Sequence, residues 1–379
     1  MIRSTHTNAQ TQGSRKTSGN TLAVGAPFAL HSYETKWVRY QPYLLKKGYK
    51  LRPRYDPDWS PAWAKNNAHP LDFEDSWAAR SAGGIDAIRV QDQQQVFIRI
   101  SRTASALTEG MGEIEIMQHL STPRLRASTN NHMVPLLDMF TVPDDSNHDF
   151  IVTPLLTAYG EVPFVRFGEV MDFLQQILEG INFFHSNNVA LRNSVPQNIM
   201  MDPSPIYNEP FHPVRPKFSL DGKRRLAIQP RVIGTVRYYF VNFQSAIHFP
   251  PIKGPRLVTG HIEGPELSQE LKPYDPFKLD VLRIGFIIKD SAIQQYRGFE
   301  GLQSLVDNMT VNDSKARIKA DRALEAYMRW AGDQGPVIQN WRLLPLHISI
   351  FKRLLISGSC YIELFLLRLA GFLKYFGRN

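Results

Sequence analysis

The chain has 379 residues, 43% of them hydrophobic, which is enough for a large buried core. Its formal net charge is +9, but no long run of Lys or Arg occurs, so we interpret the charge as dispersed over the surface and expect no nucleic-acid partner. The single cysteine, Cys360, excludes an internal disulfide framework and is typical of a reducing compartment, so we expect a cytoplasmic or nuclear protein.

The first 30 residues are rich in Thr, Ser, Asn, Gln and Gly, and we predict a disordered tail over residues 1–30. Residues 1–20 lack the apolar core of a secretory signal. Their basic residues without acidic ones are a feature of mitochondrial transit peptides, but an apolar helical face is missing, which favours the disordered tail.

Residues 31–80 place aromatic side chains between prolines and charged residues. Aromatic rings at this density need burial, so we predict an extension that packs onto a folded domain. A platform that stacks nucleic-acid bases is the alternative, but acidic residues in the same stretch would repel phosphate. The aromatics include Trp37, Tyr40, Tyr43, Tyr49, Tyr55, Trp59, Trp63 and Trp77, and the acidic residues are Asp56, Asp58, Asp72, Glu74 and Asp75.

Strand and helix patterns follow from residue 81 onward. VFIRIS (96–101) and HDFIVTPLL (148–156) predict strands, because β-branched and aromatic residues recur at short period. GEIEIMQHL (112–120) has apolar residues at helical spacing. FGEVMDFLQQILEGINFFHSNNV (167–189) predicts a long helix with one apolar face. Strands followed by a long helix predict a small sheet-rich lobe joined to a helical lobe.

The segment NNVALRNSVPQNIMMD, directly after the long helix, resembles the catalytic loop of protein kinases, H-R-D-L-K-P-x-N. In this register Arg192 matches the loop arginine and Asn198 matches the metal-binding asparagine. Asn193 replaces the catalytic aspartate, and Val195 replaces the loop lysine. The resemblance therefore implies a kinase-type site with degenerate catalytic positions.

Later segments resemble further kinase motifs in the expected order. In YYFVNFQSA, Phe243 matches the phenylalanine of D-F-G, while Asn242 replaces its aspartate. EGPEL resembles A-P-E and retains Glu266, and YDPFKLDVLRIG resembles the D-x-x-x-x-G helix through Asp280 and Gly285. Near the end of the domain, the resemblance implies that Arg317 forms a buried ion pair with the A-P-E glutamate.

Upstream, VFIRI resembles V-A-I-K, so Arg99 takes the place of the phosphate-gripping lysine. The resemblance places Glu113 as its carboxylate partner, and we expect this pair to brace the small lobe rather than bind nucleotide. The other implied nucleotide-binding positions are Thr153 as gatekeeper, Leu156 in the hinge, and Gly83 and Gly84 as the remnant of the Gly-rich loop.

The resemblance implies an α+β, two-lobed protein-kinase-like fold over residues 81–335, and the wording of the motifs is similar to protein-kinase-like proteins of filamentous fungi. The N-lobe would span 81–156 and the C-lobe 157–335. A Pro-rich and basic insertion at about 203–234 is either a partner-binding loop or a tolerated surface excursion.

Amides in place of carboxylates change the expected chemistry. Mg²⁺ prefers anionic oxygen, whereas Asn198 and Asn242 are neutral, so we expect ATP and Mg²⁺ to bind weakly if at all. Asn193 has no useful proton affinity near neutral pH and cannot act as a general base. We expect a pseudokinase that works through a protein partner, with a weakly active Ser/Thr kinase as the alternative. A small-molecule phosphotransferase is a third class, which the A-P-E-like segment and Arg317 disfavour.

The histidines and the C-terminal residues are the two remaining features that bear on function. The histidines, His185, His212 and His261 among them, show no metal-ligand spacing, so we interpret them as surface or packing residues. Residues 336–379 form an apolar tail in which Glu363 and Arg368 interrupt the apolar run. The tail is expected to dock on the core or a partner; a membrane-surface helix and a transmembrane span are the alternatives.

Overall fold

The computed structural model describes residues 28–66, 68–103, 111–250, 256–259 and 273–350, together with residue 358. Its architecture is mixed α+β: the strands of the largest sheet lie within residues 49–154, and the long helices of the second half of the fold begin at residue 167. The predicted α+β class is therefore confirmed. The tail predicted over residues 1–30 lies almost entirely outside the described residues.

Helices and strands have the following bounds. The helices are α1 (Thr35–Lys46), α2 (Ala62–Asn66), α3 (Glu113–Leu120), α4 (Pro123–Arg126), α5 (Phe167–Ser186), α6 (Pro276–Ile288), α7 (Gln303–Thr310), α8 (Ala320–Gly332) and α9 (Pro336–Gln339). The strands are β1 (Tyr49–Lys50), β2 (Gly84–Arg89), β3 (Gln95–Arg102), β4 (Asp138–Val142), β5 (Asp145–Pro154), β6 (Thr157–Ala158), β7 (Val189–Ala190), β8 (Ile199–Met201), β9 (Tyr238–Phe240) and β10 (Ile247–His248).

The largest sheet is antiparallel, with the strand order β1-β2-β3-β5-β4. Its long strands β3 and β5 agree closely with the strands predicted from the sequence. Val96 and Ile98 of β3 are buried, while Phe97 and Arg99 point to the opposite face, because side chains alternate along a strand. Arg99 on this second face contacts Glu113, the first residue of α3, so the sheet and α3 meet on this face.

One hydrophobic core lies between this sheet and α1. Trp37, Tyr49 and Tyr55 of the aromatic extension are buried in it together with Phe150 of β5. The extension also supplies β1, which pairs with β2. The extension and the sheet therefore share one hydrophobic core. A strand of two residues leaves too short a pattern to be recognised in the sequence.

A second core surrounds α5, which agrees closely with the helix predicted over 167–189. Its apolar face packs against α6 and α8 and against the short strands β7 and β9. α5 ends before Asn188, whose φ of 59° lies in the left-handed region that stops a helix. The chain then runs through β7 into the loop that carries Asn193, so the end of α5 positions that loop.

Residues 203–234, predicted as an insertion, lie between β8 and β9 and are anchored by buried side chains. Ile206, Phe211 and His212 are each at most 4% exposed. Arg231 is also buried, and its guanidinium donates to the Tyr238 hydroxyl at 2.6 Å. This segment is therefore part of the folded protein, and its interpretation as a partner-binding loop or a tolerated surface excursion remains a prediction.

The beginning of the predicted C-terminal tail packs beside the start of α5. Phe167 N donates to the Trp341 carbonyl oxygen at 2.9 Å, and Leu343 N donates to that of Val165 at 2.8 Å. Residues 351–357 and 359–379 lie outside the described residues, so the alternatives for the apolar tail remain predictions. Within the described ranges, no helix has the length and apolar character needed to cross a membrane.

Candidate functional site

An ion pair joins β3 to α3 at the centre of the candidate site. Nη1 of Arg99 donates to Oε2 of Glu113 at 2.7 Å, and Nη2 donates to Oε1 at 2.5 Å. α3 begins at Glu113 because Glu115 turns back to accept the Gly112 amide at 2.7 Å. Only 14% of the Arg99 side chain and 5% of the Glu113 side chain are exposed, so water screens the pair weakly.

Glu113 holds two further elements through the same carboxylate. The Ser101 hydroxyl donates to Oε2 at 2.6 Å, and the backbone N of Phe243 donates to Oε1 at 3.0 Å. Each carboxylate oxygen therefore accepts two hydrogen bonds, which uses most of its capacity. Glu113 neutralises the charge of Arg99. Through these bonds the pair connects the sheet, α3 and the segment after β9.

An aromatic ring covers the face of β3 next to this ion pair. Gly84 of β2 pairs with Arg99 across the two strands. A Cβ at Gly84 would overlap the ring of Phe97 and would come within 2.9 Å of the Ile98 carbonyl oxygen. Position 84 must therefore be glycine to leave room for the Phe97 ring. The ring in turn fills space that a smaller residue at position 97 of β3 would leave open.

The remaining positions that the sequence assigned to nucleotide lie around the same strands. Thr153 is buried on β5, and its hydroxyl donates to the Phe97 carbonyl oxygen at 3.4 Å. Leu156 follows β5 and lines a surface cavity. Gly83 precedes β2, and its amide donates to the Ser81 hydroxyl at 3.1 Å.

A buried carboxylate organises the loop after β7. Asp280 on α6 has no exposed surface, and its Oδ2 accepts from the Leu191 amide at 2.7 Å and lies 3.1 Å from Nε2 of His185. Its Oδ1 accepts from the Arg192 amide at 2.8 Å and from the Ser194 hydroxyl at 3.1 Å. These bonds fix the backbone on both sides of Asn193 without contacting its side chain.

Asn193 itself is held by an arginine and by the second asparagine of the motif. Nη1 of the buried Arg283 donates to Oδ1 of Asn193 at 3.2 Å. Nδ2 of Asn198 donates to the backbone oxygen of Asn193 at 2.9 Å. A guanidinium beside the side-chain oxygen would bind a carboxylate more tightly than it binds an amide.

Two non-glycine residues near the site have left-handed backbones, with φ of 60° at Arg192 and 66° at Asn242. Such conformations are uncommon for L-residues and persist only where neighbouring contacts hold them. Nε of Arg192 donates to the Tyr274 hydroxyl at 2.9 Å. The segment after Asn242 is held by the bond from the Phe243 amide to Glu113 and by burial of the Phe243 ring.

The Arg317 guanidinium donates hydrogen bonds to backbone oxygens. Nη1 donates to Lys278 O at 2.8 Å, and Nη2 donates to Val311 O at 2.9 Å. Burial lowers the pKa of Arg317, and nearby carboxylates act in the opposite direction. Its predicted partner Glu266 lies outside the described residues, so the ion pair between them remains a prediction.

The 203–234 segment reaches the sheet at the first residue of β3. Nε2 of Gln95 donates to Phe211 O at 2.7 Å, and Oε1 accepts from Phe211 N at 3.0 Å. The backbone oxygen of Gln95 accepts from Leu155 N at 3.0 Å, so the same residue also holds the chain after β5. One glutamine therefore links the segment, β3 and the connection towards the helical part.

A second contact lies between the 203–234 segment and the residues before β2. Nε2 of the fully buried His212 lies 3.6 Å from Oε1 of Glu74, which also accepts from Nη1 of Arg52 at 3.1 Å. Burial alone would raise the pKa of Glu74, but contact with His212 and the charge of Arg52 lower it. The Arg215 guanidinium stacks over Trp77 at 4.7 Å.

The contacts of the described residues form two groups. Arg99, Glu113 and Phe243 make one, and Asn193 with Asn198 makes the other. Three of the surface cavities lie elsewhere, and none of these three is lined by Arg99, Asn193, Asn198 or Asn242. Sequence reasoning missed Phe97, although its place at the alanine of V-A-I-K was a signal, and it missed Gln95 and Arg283, which carry no local signal.

The described residues contain no group of three His, Cys, Asp or Glu side chains that could hold a metal ion. Asn198 and Asn242 could offer only neutral amide oxygens, which bind Mg²⁺ more weakly than carboxylates. No protein-family model matches the chain. No curated protein is significantly similar to it in sequence. The interpretation of the site therefore depends on the motifs and on the contacts described above.

Proposed function

We propose that this chain is a two-lobed protein-kinase-like protein that has lost phosphoryl transfer and acts by binding another protein. Support comes from the order of its elements, because a five-stranded antiparallel sheet precedes the helical part. The contacts agree with the motif register as well: Arg99 pairs with Glu113, and Asp280 binds the loop that carries Arg192.

The observation that carries the loss of activity is the contact between Asn193 and Arg283. In the proposed register Asn193 takes the place of the catalytic aspartate. An amide accepts no proton near neutral pH, and general-base catalysis is worth roughly 10²–10⁴-fold in rate. The Arg283 guanidinium at 3.2 Å further disfavours a proton at that oxygen.

The nucleotide side of the proposed cleft is also altered. The Phe97 ring occupies the face of β3 beside Arg99, and in the proposed register the guanidinium of Arg99 replaces a lysine ammonium. Asn198 and Asn242 supply no negative charge for Mg²⁺. A kinase fold with these substitutions retains its structure but lacks the groups for phosphoryl transfer. Such a protein is suited to binding another protein.

A weakly active Ser/Thr protein kinase is the second candidate, and one observation favours it. The Arg99–Glu113 pair retains the charge arrangement of the kinase Lys–Glu pair. Arginine is larger than lysine and planar, however, and it is not interchangeable with lysine at a packed site. The bidentate geometry favours a bracing role.

The test combines a thermal-shift titration of the full chain with ATP, with and without Mg²⁺, and a phosphotransfer assay on a generic Ser/Thr substrate. We expect no Mg²⁺-dependent stabilisation and no turnover. Asn198→Ala is the test variant, and Asn308→Ala, at an exposed asparagine on α7, is the matched control. Turnover that Asn198→Ala abolishes and Asn308→Ala retains would overturn the proposed loss of activity.

A further inference from the structure

Two neighbouring cavities lie next to the connection after β5, and we refer to them together as a groove. The larger has a volume of about 570 Å³ and the smaller about 210 Å³. Arg126, Pro135 and Tyr239 line both, so the two cavities share part of their walls. We define the groove by these two cavities and describe its ends in turn.

The smaller cavity is basic. Its polar lining consists of Ser121, Arg126, Ser128, Asn131, Arg237 and Tyr239, and no acidic residue lines it. Two arginines without a carboxylate in a small cavity create a positive potential that an anion would neutralise. Because guanidinium groups bind phosphate with two parallel hydrogen bonds, arginine is the residue type best suited to this ligand.

The two arginines differ in how they are held. Nη2 of Arg237 donates to the carbonyl oxygens of Thr129 and Asn131, the latter at 3.0 Å, so this side chain is fixed before any ligand arrives. The side chain of Arg126 is exposed and forms no hydrogen bond or ion pair within the described part of the chain. Arg126 therefore retains all five N–H donors for a ligand.

A hydroxyl donor completes the cavity. Ser128 Oγ already accepts from Asn130 N at 3.3 Å, which leaves its hydroxyl hydrogen to donate to a ligand. A phosphomonoester offers three acceptor oxygens and a charge of about −1.5 to −2, which matches two arginines and a hydroxyl better than a single carboxylate does.

The larger cavity indicates what carries the phosphate. Its walls include the aromatic residues Tyr207 and Phe211, which suit the side chains that flank a modified residue in a polypeptide. It also contains Asp202, which would repel a second phosphate, and Glu209, whose carboxylate pairs with Arg224. A nucleic acid or an anionic membrane presents repeated negative charges, so Asp202 favours a protein segment with one phosphate.

We propose that this groove binds a phosphorylated serine or threonine side chain of another protein, with the phosphate in the smaller cavity at Arg126 and Arg237. The inference gives the protein-binding role proposed above a partner chemistry and rests on that role. The ATP titration reports on the Arg99 and Asn193 region, whereas this proposal concerns the groove, so each can fail without the other.

The test uses the full chain and a degenerate peptide library with a fixed central phosphoserine, compared with the same library carrying serine. Arg126→Gln removes the exposed guanidinium, and Arg124→Gln is the matched control, because Arg124 lies on the same short helix, is exposed and lines neither cavity. We expect selective binding of the phosphoserine library, weakened about tenfold or more by Arg126→Gln and changed by at most about twofold by Arg124→Gln.

Further arms separate the sources of phosphate. Inorganic phosphate and free O-phosphoserine should compete only at far higher concentration than the peptides, because they leave the larger cavity empty. Tight binding of either one without a gain from peptide would overturn the assignment of a protein ligand. Arg126-dependent binding of an oligothymidylate, equal effects of the two arginine variants, or no selectivity for the phosphoserine library would each overturn the proposal.

Discussion

Glu113 accepts two hydrogen bonds from the guanidinium of Arg99 and two more from Ser101 and the Phe243 amide. One carboxylate thus links β3, α3 and the segment after β9. Both oxygens of this carboxylate are occupied by protein donors, so we assign Glu113 a structural role. Replacing Glu113 should therefore lower the stability of the fold rather than change ligand binding.

Replacing Glu113 by Gln should lower the free energy of unfolding by about 3 kcal/mol, because it leaves the largely buried Arg99 charge without a counter-ion. Urea denaturation of the purified chain measures the change. The control is Glu325→Gln on the exposed face of α8, where Glu325 pairs with Arg322 in water and the denaturation midpoint should not move. An unchanged midpoint for the Glu113 variant would contradict the bracing role.

Restoring a carboxylate by Asn193→Asp should not restore phosphoryl transfer. Arg283 would bind the new carboxylate as it now binds the Asn193 amide oxygen at 3.2 Å. An adjacent arginine lowers the pKa of an aspartate and makes it a poorer base. We expect no turnover from this variant in a phosphotransfer assay and no loss of thermal stability. Turnover from Asn193→Asp alone would mean that the rest of the catalytic machinery is intact.

The sequence predicted the long elements well and the contacts between distant segments poorly. β3, β5 and α5 follow apolar periodicities that sequence reasoning reads directly. β1 has two residues, too few to show a period. The bonds between Gln95 and Phe211 join residues 116 positions apart, and no local pattern encodes such a pair.

For the site, the motif register predicted the Arg99–Glu113 contact, because these residues occupy fixed places in strand and helix. It marked Asp280 as a motif position but did not predict its bonds to the loop. It did not give the neighbour of Asn193, since Arg283 reaches it from α6 through tertiary packing. The motif register also did not predict that the Phe97 ring would pack against Gly84, because this contact joins two different strands.

Gln95→Ala should loosen the 203–234 segment, because it removes both side-chain partners of the Phe211 backbone. Unpaired amide and carbonyl groups that are partly buried cost roughly 1–3 kcal/mol. Hydrogen exchange of residues near 211 should speed up more than exchange in α5. Gln118→Ala, at an exposed position on α3, is the control. It should change hydrogen exchange neither near residue 211 nor in α5. Equal exchange in all three proteins would show that Gln95 does not hold the segment.

Gly84→Ala should destabilise the chain, because its Cβ would overlap the Phe97 ring and approach the Ile98 carbonyl oxygen. Overpacking of this kind costs roughly 1–3 kcal/mol. Adding Phe97→Ala should relieve the clash with the ring but not the one with the backbone, so the rescue should be partial. A double-mutant cycle from denaturation curves measures this coupling. Strictly additive effects would mean that the ring does not occupy the space beside Gly84.

Two glutamates on α5 should give opposite pH dependences of stability. Burial raises the pKa of Glu169, which hydrogen bonds and Arg231 only partly offset. The folded chain then holds this proton to higher pH than the unfolded chain, where glutamate titrates near about 4.3. Unfolding therefore releases a proton above that pH, and this group makes stability fall as pH rises through its folded pKa.

Glu179 has the opposite sign, because the nearby His132 ring, whose Nε2 lies 3.6 Å from Oε2, and the hydrogen bond from Gln175 outweigh burial and lower its pKa. It adds stability above about pH 4.3, and that contribution disappears as the pH falls through its folded pKa. Glu169→Gln should therefore gain stability relative to the parent chain as pH rises from 4 to 8, while Glu179→Gln should lose it as pH rises from 3 to 5. Urea midpoints for both variants from pH 3 to 8 measure the difference, and parallel curves would rule out the assigned signs.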